Sequence, residues 1–327
     1  MDDRITLRFL ASPTDVSEDG TTVQAGRVLE WIDKAGYACA TGYSGSYCVT
    51  AYVGNVHFTR PIRNGDLIEI DARIVHTGRS SMQVVVTVDA ANVREREFRP
   101  AMDCILVFVA LGEDRRPKPI PQWQPSDDES ARLAEGAAGR IAARAEIRDA
   151  MRAQAYTDAG TTPKEHFRFL AAPSDVNWGG NAHGGIVMRW IDEVARACAM
   201  SWCGRDAVAV YSGGIHFLNP VHIGDLVEAE ARLIHTGPRS MHTAVHVRAR
   251  DPRGGEWRPT TQCMTIFVTR NEAGHAAEVP QLMLRTDEDR RLDAHALDLM
   301  RRRAELPPLQ FAVERKYHFR QRSQSSS

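Results

Sequence analysis

Apolar residues along the chain follow two periods. In residues 181–200, NAHGGIVMRWIDEVARACAM, they recur every three or four positions, which is typical of a helix with an apolar face. Residues 226–233 and 241–249 alternate apolar and polar positions, as strands do. Gly-Asp and Thr-Gly pairs between such segments are turn signals. The pattern predicts a short strand over 164–171, a helix from about 185 to 199 and four antiparallel strands, an α+β unit in which the sheet covers the helix.

The first half of the chain repeats this pattern. Trp-Ile-Asp at residues 31–33 returns at 190–192, and Gly-Asp-Leu at 65–67 returns at 224–226, a constant shift of 159 residues (190 − 31). Upstream of the helix the shift is 160, because Asp-Val at 15–16 matches Asp-Val at 175–176, so the first copy has one extra residue there. An internal repeat of this length indicates two copies of one unit, which form a pseudo-dimer within one chain.

The repeat divides the chain into four segments. We expect a first unit over residues 1–125, a helical linker over 126–160, a second unit over 161–284, and a C-terminal helix with a flexible tail over 285–327. Both helices outside the units have a predicted capping box at their start, Ser126 with Glu129 and Thr286 with Asp289.

Composition narrows the classes of function. The 327 residues have a formal net charge of −1, which argues against nucleic acid or an anionic membrane as the main partner. No apolar run has the length of a signal peptide core or a membrane span, so we expect a cytoplasmic protein. Six cysteines occur without a CxxC pair, which favours buried thiols in a reducing compartment over a metal site.

The predicted central helix carries two features that suggest chemistry. Gly184 and Gly185 stand at its start, where free N–H groups and the helix dipole suit an oxyanion. The alternative is that the glycines only end the loop without strain. Asp192, and Asp33 in the first copy, lie about 10 Å along the axis from their own helix start, too far to act there. The Asp of one unit could therefore serve the glycines of the other, or both could belong to a solvated helix face.

The later segments carry a resemblance to a known family. Asn177, His183, Gly184-Gly185 and Asp192 resemble the signature of hotdog-fold acyl-CoA thioesterases. The runs VHFTRPIRNGDLIEIDARIVHTGRSSM and IHFLNPVHIGDLVEAEARLIHTGPRSM are similar to the family's segment after the central helix. The tandem arrangement resembles the double-hotdog cytosolic acyl-CoA hydrolases, over most of residues 7–112 and 166–271. The resemblance implies hydrolysis of acyl-CoA to a carboxylic acid and CoA, no metal or organic cofactor, and a homo-oligomer of pseudo-dimers.

The resemblance also implies roles for individual residues. Gly184 would bind the thioester carbonyl through its N–H, Asp33 of the other half would activate water or attack the carbonyl, and Asn177 would help to place the reactants. Further candidates for substrate contacts are His183, Gly185 and, for the pantetheine or the phosphates, the turn residues Arg79, Ser81, Arg239 and Ser240. Exposed turn residues without a ligand are the alternative for the last four.

The other composite site departs from the family pattern and is predicted to be degenerate. It would combine Asp192 with Gln24, Ala25 and Gly26, which stand in place of the His-Gly-Gly run, and its Asn position is held by Ser17 or Glu18. Three alternatives stay open at the level of function. They are a non-catalytic acyl-CoA-binding or scaffold protein, a hotdog hydratase or dehydratase, and a thioesterase that acts on acyl carrier protein.

Overall fold

One antiparallel sheet runs through both halves of the chain. The computed structural model describes residues 2–17, 19–95, 97–177 and 179–307. The first half contributes β1 (Arg4–Leu10), β2 (Tyr47–Val53), β3 (Val56–His57), β4 (Leu67–Thr77), β5 (Ser81–Ala91) and β6 (Arg99–Leu111). The second half contributes β7 (Lys164–Leu170), β8 (Val208–Phe217), β9 (Leu226–Gly237), β10 (Ser240–Arg250), β11 (Arg258–Arg270) and β12 (Ala276–Ala277).

The strand order places the junction of the two halves in the middle of the sheet. The order is β1-β4-β5-β6-β2-β8-β11-β10-β9-β7, with β3 paired to β8 and β12 paired to β11. At the junction Tyr52 of β2 lies opposite His216 of β8, and Val53 lies opposite Ile215. The two units thus share backbone hydrogen bonds, and the predicted α+β fold with two tandem hotdog domains is confirmed.

A long helix is central to each half. Helix α1 (Ala25–Ser44) and helix α3 (Gly184–Cys203) each have 20 residues, and α3 is longer than the predicted 185–199. Both end at a glycine in the left-handed conformation, Gly45 with φ 59° and Gly204 with φ 66°. Each helix packs against the strands of its own half, and the two helices pack against each other. One continuous apolar core therefore spans both halves; it includes Leu29, Ile32, Met188 and Ile191.

Two further helices cover the opposite face of the sheet. Leu133 and Ala137 of the linker helix α2 (Asp128–Arg152) pack against β5 and β6. Helix α4 (Asp287–Ala304) packs Leu292 and Leu299 into a cluster with β9, β10 and the end of α2. Consecutive residues such as Val84, Val85 and Val86 are consequently all fully buried. The sheet thus has a covered outer face that the alternating pattern does not predict.

The capping prediction was wrong for α2 and correct for α4. In α2 the capping residue is Asp127, whose carboxylate accepts from the Ser130 N–H at 2.7 Å, and Glu129 instead forms an ion pair with Arg73 at 3.0 Å. The box is shifted by one residue because Ser130, not Glu129, returns the reciprocal hydrogen bond. In α4 Thr286 and Asp289 form the predicted capping box.

The described residues contain neither a membrane-spanning helix nor a cluster of metal-binding side chains. None of the helices there combines the length and apolar character needed to cross a membrane. No group of three His, Cys, Asp or Glu side chains in that part of the chain is arranged to hold a metal ion. All six cysteines are unpaired thiols. Most of the predicted flexible tail, residues 308–327, lies outside the described residues.

Candidate active site

The two central helices cross so that each presents its aspartate to the start of the other. The Gly185 N–H of α3 donates to Asp33 Oδ2 of α1 at 2.7 Å, and the Gly26 N–H of α1 donates to Asp192 Oδ2 of α3 at 2.9 Å. N–H groups in the first turn of a helix have no partner within the helix, so a carboxylate from outside satisfies them. The structure thus brings together residues from both halves at two composite sites.

The close approach of the helices requires glycine at both crossing points. A Cβ atom on Gly185 would lie 2.7 Å from the Glu30 Cα, and one on Gly26 would lie 3.0 Å from the Arg189 Cα. Gly185 was predicted to contact substrate. In the structure its N–H donates to Asp33, and its Cα faces the backbone of the other helix. A substrate contact of Gly185 stays a prediction.

Asp33 is buried among donors from β2 and from the start of α3. Thr50 Oγ1 of β2 donates to Asp33 Oδ1 at 2.7 Å, and His183 Nδ1 lies 2.9 Å from Asp33 Oδ2. Asp33 is only 1% exposed. Burial alone would lower the pKa of His183, but the hydrogen bond and the charge of Asp33 outweigh burial and raise this pKa above its usual value. The positive form of His183 is thus stabilised by the carboxylate that it contacts.

Sequence reasoning missed Thr50. It lies 17 residues after Asp33 in a strand, where threonine is common and no motif distinguishes it. One signal was available in the internal repeat: the equivalent position in the second half, 159 residues on, is Ala209. A polar residue on one copy of a strand and alanine on the other indicates different demands at the two sites.

A cavity of about 760 Å³ opens beside Asp33. Asp33, Thr50, Asn177, His183 and Gly184 all line it. The backbone of Gly184 forms the wall nearest the carboxylate, because a Cβ there would lie 2.9 Å from Thr50 Oγ1 and 3.0 Å from Asp33 Oδ2. The N–H of Gly184 is the first of helix α3 and has no acceptor within the helix. The arrangement places a carboxylate and a backbone donor side by side at one cavity wall.

Asn177 shapes the loop that leads into α3. Its Oδ1 accepts from the N–H groups of Gly179 at 2.8 Å and Asn181 at 3.1 Å. In the first copy Asp19 Oδ1 accepts from Thr21 and Thr22 instead. The backbone N–H of Ser17 bonds across this loop as that of Asn177 does in the other, which makes Ser17 its equivalent. Glu18, the other candidate for that position, lies outside the described residues.

The four turn residues lie apart from both composite cavities. Arg79 lies in the turn between β4 and β5 and Arg239 in the turn between β9 and β10; Ser81 and Ser240 begin the strands that follow. None of the four lines the cavities that contain Asp33 and Asp192. A contact with the distal part of a substrate stays a prediction for these residues.

The second composite site has fewer partners for its carboxylate. Asp192 accepts from Gly26, but its Oδ1 is buried with no hydrogen-bond partner. The Gln24 side chain makes no capping hydrogen bond to α1 within the described residues, whereas His183, at the equivalent position before α3, lies against the Asp33 carboxylate. Burial raises the pKa of Asp192 to about 6, against the lowering effects of the Gly26 N–H and the charge of Arg196.

Comparison with known proteins shows the family. The Thioesterase superfamily matches the chain twice, at residues 20–96 and 179–256. The cytosolic acyl coenzyme A thioester hydrolase of Mus musculus is 25% identical, over 88% of this chain and 80% of its own. Protein VdlD of Helicobacter pylori is 30% identical, over 42% of this chain and 78% of its own. A solved structure from Lactobacillus plantarum, assigned as an oleoyl thioesterase, shares the fold at 11% identity with a TM-score of 0.57, over 82% of this chain and 97% of its own. The chain therefore belongs to the Thioesterase superfamily, as a tandem hotdog thioester hydrolase.

Proposed function

We propose that this chain hydrolyses acyl-CoA to a carboxylic acid and CoA at the site that combines Asp33 with the loop before α3. The observation that carries the proposal is the environment of Asp33. Its carboxylate lies at the wall of a large cavity and is oriented by Thr50, the Gly185 N–H and His183. A carboxylate held by three donors keeps one geometry, and Oδ1 retains a lone pair for a further contact. The names of the relatives support CoA as the carrier.

The proposed reaction needs only groups on the chain and water. In one route Asp33 takes a proton from water while the water oxygen bonds to the thioester carbon; the C–S bond then breaks, and the thiolate takes up that proton to give free CoA. In the other the carboxylate attacks the carbon, the C–S bond breaks to give an anhydride and the thiolate, and water then cleaves the anhydride and supplies the thiolate's proton. In both, the negative charge on the carbonyl oxygen is received by the Gly184 N–H at the positive end of α3. No metal or organic cofactor enters this scheme.

Asn177 and His183 support this chemistry from the loop. Asn177 holds the loop through its Oδ1, which leaves its amide NH₂ available to the cavity. Protonated His183 would place a positive charge beside the Asp33 carboxylate and help to orient it. We further propose a cytosolic setting, because the thiols are unpaired and the mouse relative is named cytosolic. Assembly into a homo-oligomer of pseudo-dimers stays a prediction, which sedimentation analysis would test.

The first experiment compares the two aspartates. Thiol release would be measured on short- to long-chain acyl-CoAs for the wild type, Asp33→Asn and Asp192→Asn, with circular dichroism to verify folding. We expect Asp33→Asn to lower kcat/KM by at least about a hundredfold, since removing a general base or nucleophile has effects of this size. Asp192→Asn should change it less than about threefold.

Three outcomes would contradict the proposal. Loss of turnover only in Asp192→Asn would move catalysis to the other composite site. No turnover of any acyl-CoA by the folded wild type would favour a binding or scaffold protein, or an acyl carrier protein substrate tested in the same assay. Addition of water to an enoyl-CoA without thiol release would indicate a hydratase.

A further inference from the structure

We propose that the second composite cavity binds free CoA, or the CoA portion of a thioester, without hydrolysing it. This cavity has a volume of about 450 Å³ and contains Asp192 at its inner end. The proposal concerns a site that the catalytic scheme leaves unused, and it stands or falls independently of turnover at Asp33.

The cavity lacks the groups that orient the carboxylate in the catalytic one. The position of Thr50 is held by Ala209, that of His183 by Gln24 and that of Gly184 by Ala25, and all three replacements line the cavity. Among the described residues, the Gly26 N–H is the one hydrogen-bond donor to Asp192 Oδ2. A thioester in this cavity would meet a carboxylate without a positioned water and an alanine methyl group where the oxyanion would bind. We therefore infer that this cavity does not support hydrolysis, although its volume of about 450 Å³ is retained.

What the cavity has gained is positive charge. Its lining includes four arginines: Arg60, Arg196, Arg205 and Arg270. The internal repeat supplies a control, because the equivalent residues are uncharged: Asn219, Tyr37, Ser46 and Leu111. Three of them, Asn219, Tyr37 and Leu111, line the other cavity, whose lining has one arginine, Arg115, against four here. Guanidinium groups bind phosphate by paired hydrogen bonds, so the difference favours a phosphorylated ligand at the rim.

Three of these arginines are available to a ligand. No ion pair or side-chain hydrogen bond within the described residues engages the guanidinium groups of Arg60, Arg205 or Arg270, and all three side chains are exposed at the cavity. The acidic residues in the lining are Asp19, Asp192 and Asp206, and Asp19 is already bonded to its own loop. Four arginines against three aspartates leave a positive excess at the rim.

At the inner end of the cavity, the ligand would have to supply a hydrogen-bond donor rather than a phosphate. Asp192 is 5% exposed, and its Oδ1 has no hydrogen-bond partner. An unpaired buried carboxylate oxygen costs free energy, and a donor from a ligand would offset that cost. A ligand with phosphates at one end and an N–H or S–H donor at the other meets both demands. CoA has this composition, with its phosphates on the nucleotide and its amides and thiol on the pantetheine arm.

The test uses substitutions that the repeat itself supplies. Arg60→Asn with Arg270→Leu installs the residues of the catalytic cavity, and Arg94→Asn with Arg132→Leu removes the same charge from exposed positions elsewhere. Calorimetric titration of the wild type with CoA should give two sites per chain. The Arg60/Arg270 variant should lose one site or bind it roughly tenfold more weakly, as expected for lost charged hydrogen bonds. The control variant should bind as the wild type does, and thiol release should be unchanged in both.

A second measurement needs no variant. Inorganic pyrophosphate should displace CoA from the weaker of the two sites in the wild type, while pantetheine, which lacks phosphate, should bind at least roughly tenfold more weakly than CoA. Binding of pyrophosphate at one site per chain, with no binding of CoA beyond one equivalent, would indicate a site for free phosphates and would overturn the assignment to CoA. A single CoA site that survives Arg60→Asn with Arg270→Leu unchanged would overturn the proposal altogether. If the wild type binds CoA at both sites but hydrolyses no acyl-CoA, the proposed function is contradicted, whereas the proposal for the second cavity is not.

Discussion

At the scale of single residues, the two sites differ by pairs of changes that fit together. Gly184 faces Thr50 in the catalytic cavity, and a methyl group at 184 would come within 2.9 Å of the Thr50 hydroxyl. In the other cavity alanine at 25 stands with alanine at 209, which has no hydroxyl to crowd. The loss of the threonine thus removes the requirement for glycine. Ala25, one of the departures that suggested a degenerate site, and Ala209 thus belong to one steric relationship.

Gly184→Ala tests this relationship. The added methyl group would displace Thr50 from Asp33, and we expect kcat/KM to fall about a hundredfold, because misplacement of a catalytic group by about 1 Å has effects of this size. The matched control is Ala25→Gly, the reverse change at the equivalent position, which should leave thiol release unchanged. Full activity in Gly184→Ala would show that the site tolerates a methyl group. The Thr50 hydroxyl would then not require glycine at position 184.

Asp192→Asn should stabilise the protein in a pH-dependent way. Because the folded-state pKa of Asp192, about 6, lies above its usual value of 3.8, ionisation costs folding free energy that increases as pH rises from about 4 through 6. Asparagine avoids this cost. The free energy of unfolding should therefore exceed that of the wild type by on the order of 2–3 kcal/mol at pH 8, with the difference approaching zero near pH 4. Urea unfolding across this range measures it, and a difference independent of pH contradicts the assignment.

At the scale of elements, the crossing of α1 and α3 determines the site. Each helix start must lie against the other helix closely enough for a backbone N–H to reach the carboxylate, and Gly26 and Gly185 permit this approach. The carboxylates are then placed by helix geometry rather than by loops. Sites on rigid helices hold their geometry better than sites on loops.

Gly185→Ala should destabilise the protein although alanine is the better helix former. Its Cβ would lie 2.7 Å from the Glu30 Cα, so the helices must move apart, and overpacking of this kind costs about 1–3 kcal/mol. Gly42→Ala in α1 is the matched control, since a Cβ there meets nothing within 4 Å. That change should stabilise by about 0.5–1 kcal/mol. Chemical unfolding of both variants measures the two changes in the free energy of unfolding. Equal changes in the two variants would refute the packing argument.

Among the elements, the strands of the sheet were predicted better than the helices that cover its outer face. Alternation in residues 226–233 and 241–249 identified β9 and β10, because antiparallel strands present alternate residues to one core. Burial of the other face by α2 and α4 could not be inferred. Helix α2 is mostly polar and contributes only a few buried residues, among them Leu133 and Ala137, so its pattern does not indicate which surface it covers.

At the scale of the whole molecule, the halves are joined at two levels. Strands β2 and β8 pair across the junction, and the apolar core is continuous from α1 to α3. Neither half can separate without exposing part of this core and leaving Asp33 and Asp192 without their N–H donors. The duplication has therefore produced one folding unit rather than two.

The chain should accordingly unfold in one transition. Scanning calorimetry should give equal calorimetric and van 't Hoff enthalpies, and Gly185→Ala should shift the whole transition rather than half of it. Near-ultraviolet circular dichroism should follow the same curve. Two resolved transitions, of which the variant moves only one, would contradict the single unit.

The sequence by itself determined the duplication, the α+β class, the position of the central helices and the pair of candidate aspartates, since each depends on local period or on residue identity at a fixed spacing. Tertiary structure alone decided which groups meet: that the Gly185 N–H bonds to Asp33 of the other helix, that Thr50 bonds to Asp33, and that arginines surround the second cavity. The physical reason is one of distance along the chain. Asp33 and Gly185 are 152 residues apart and meet only because two helices cross, an arrangement specified by packing of the whole core rather than by any segment that can be read on its own.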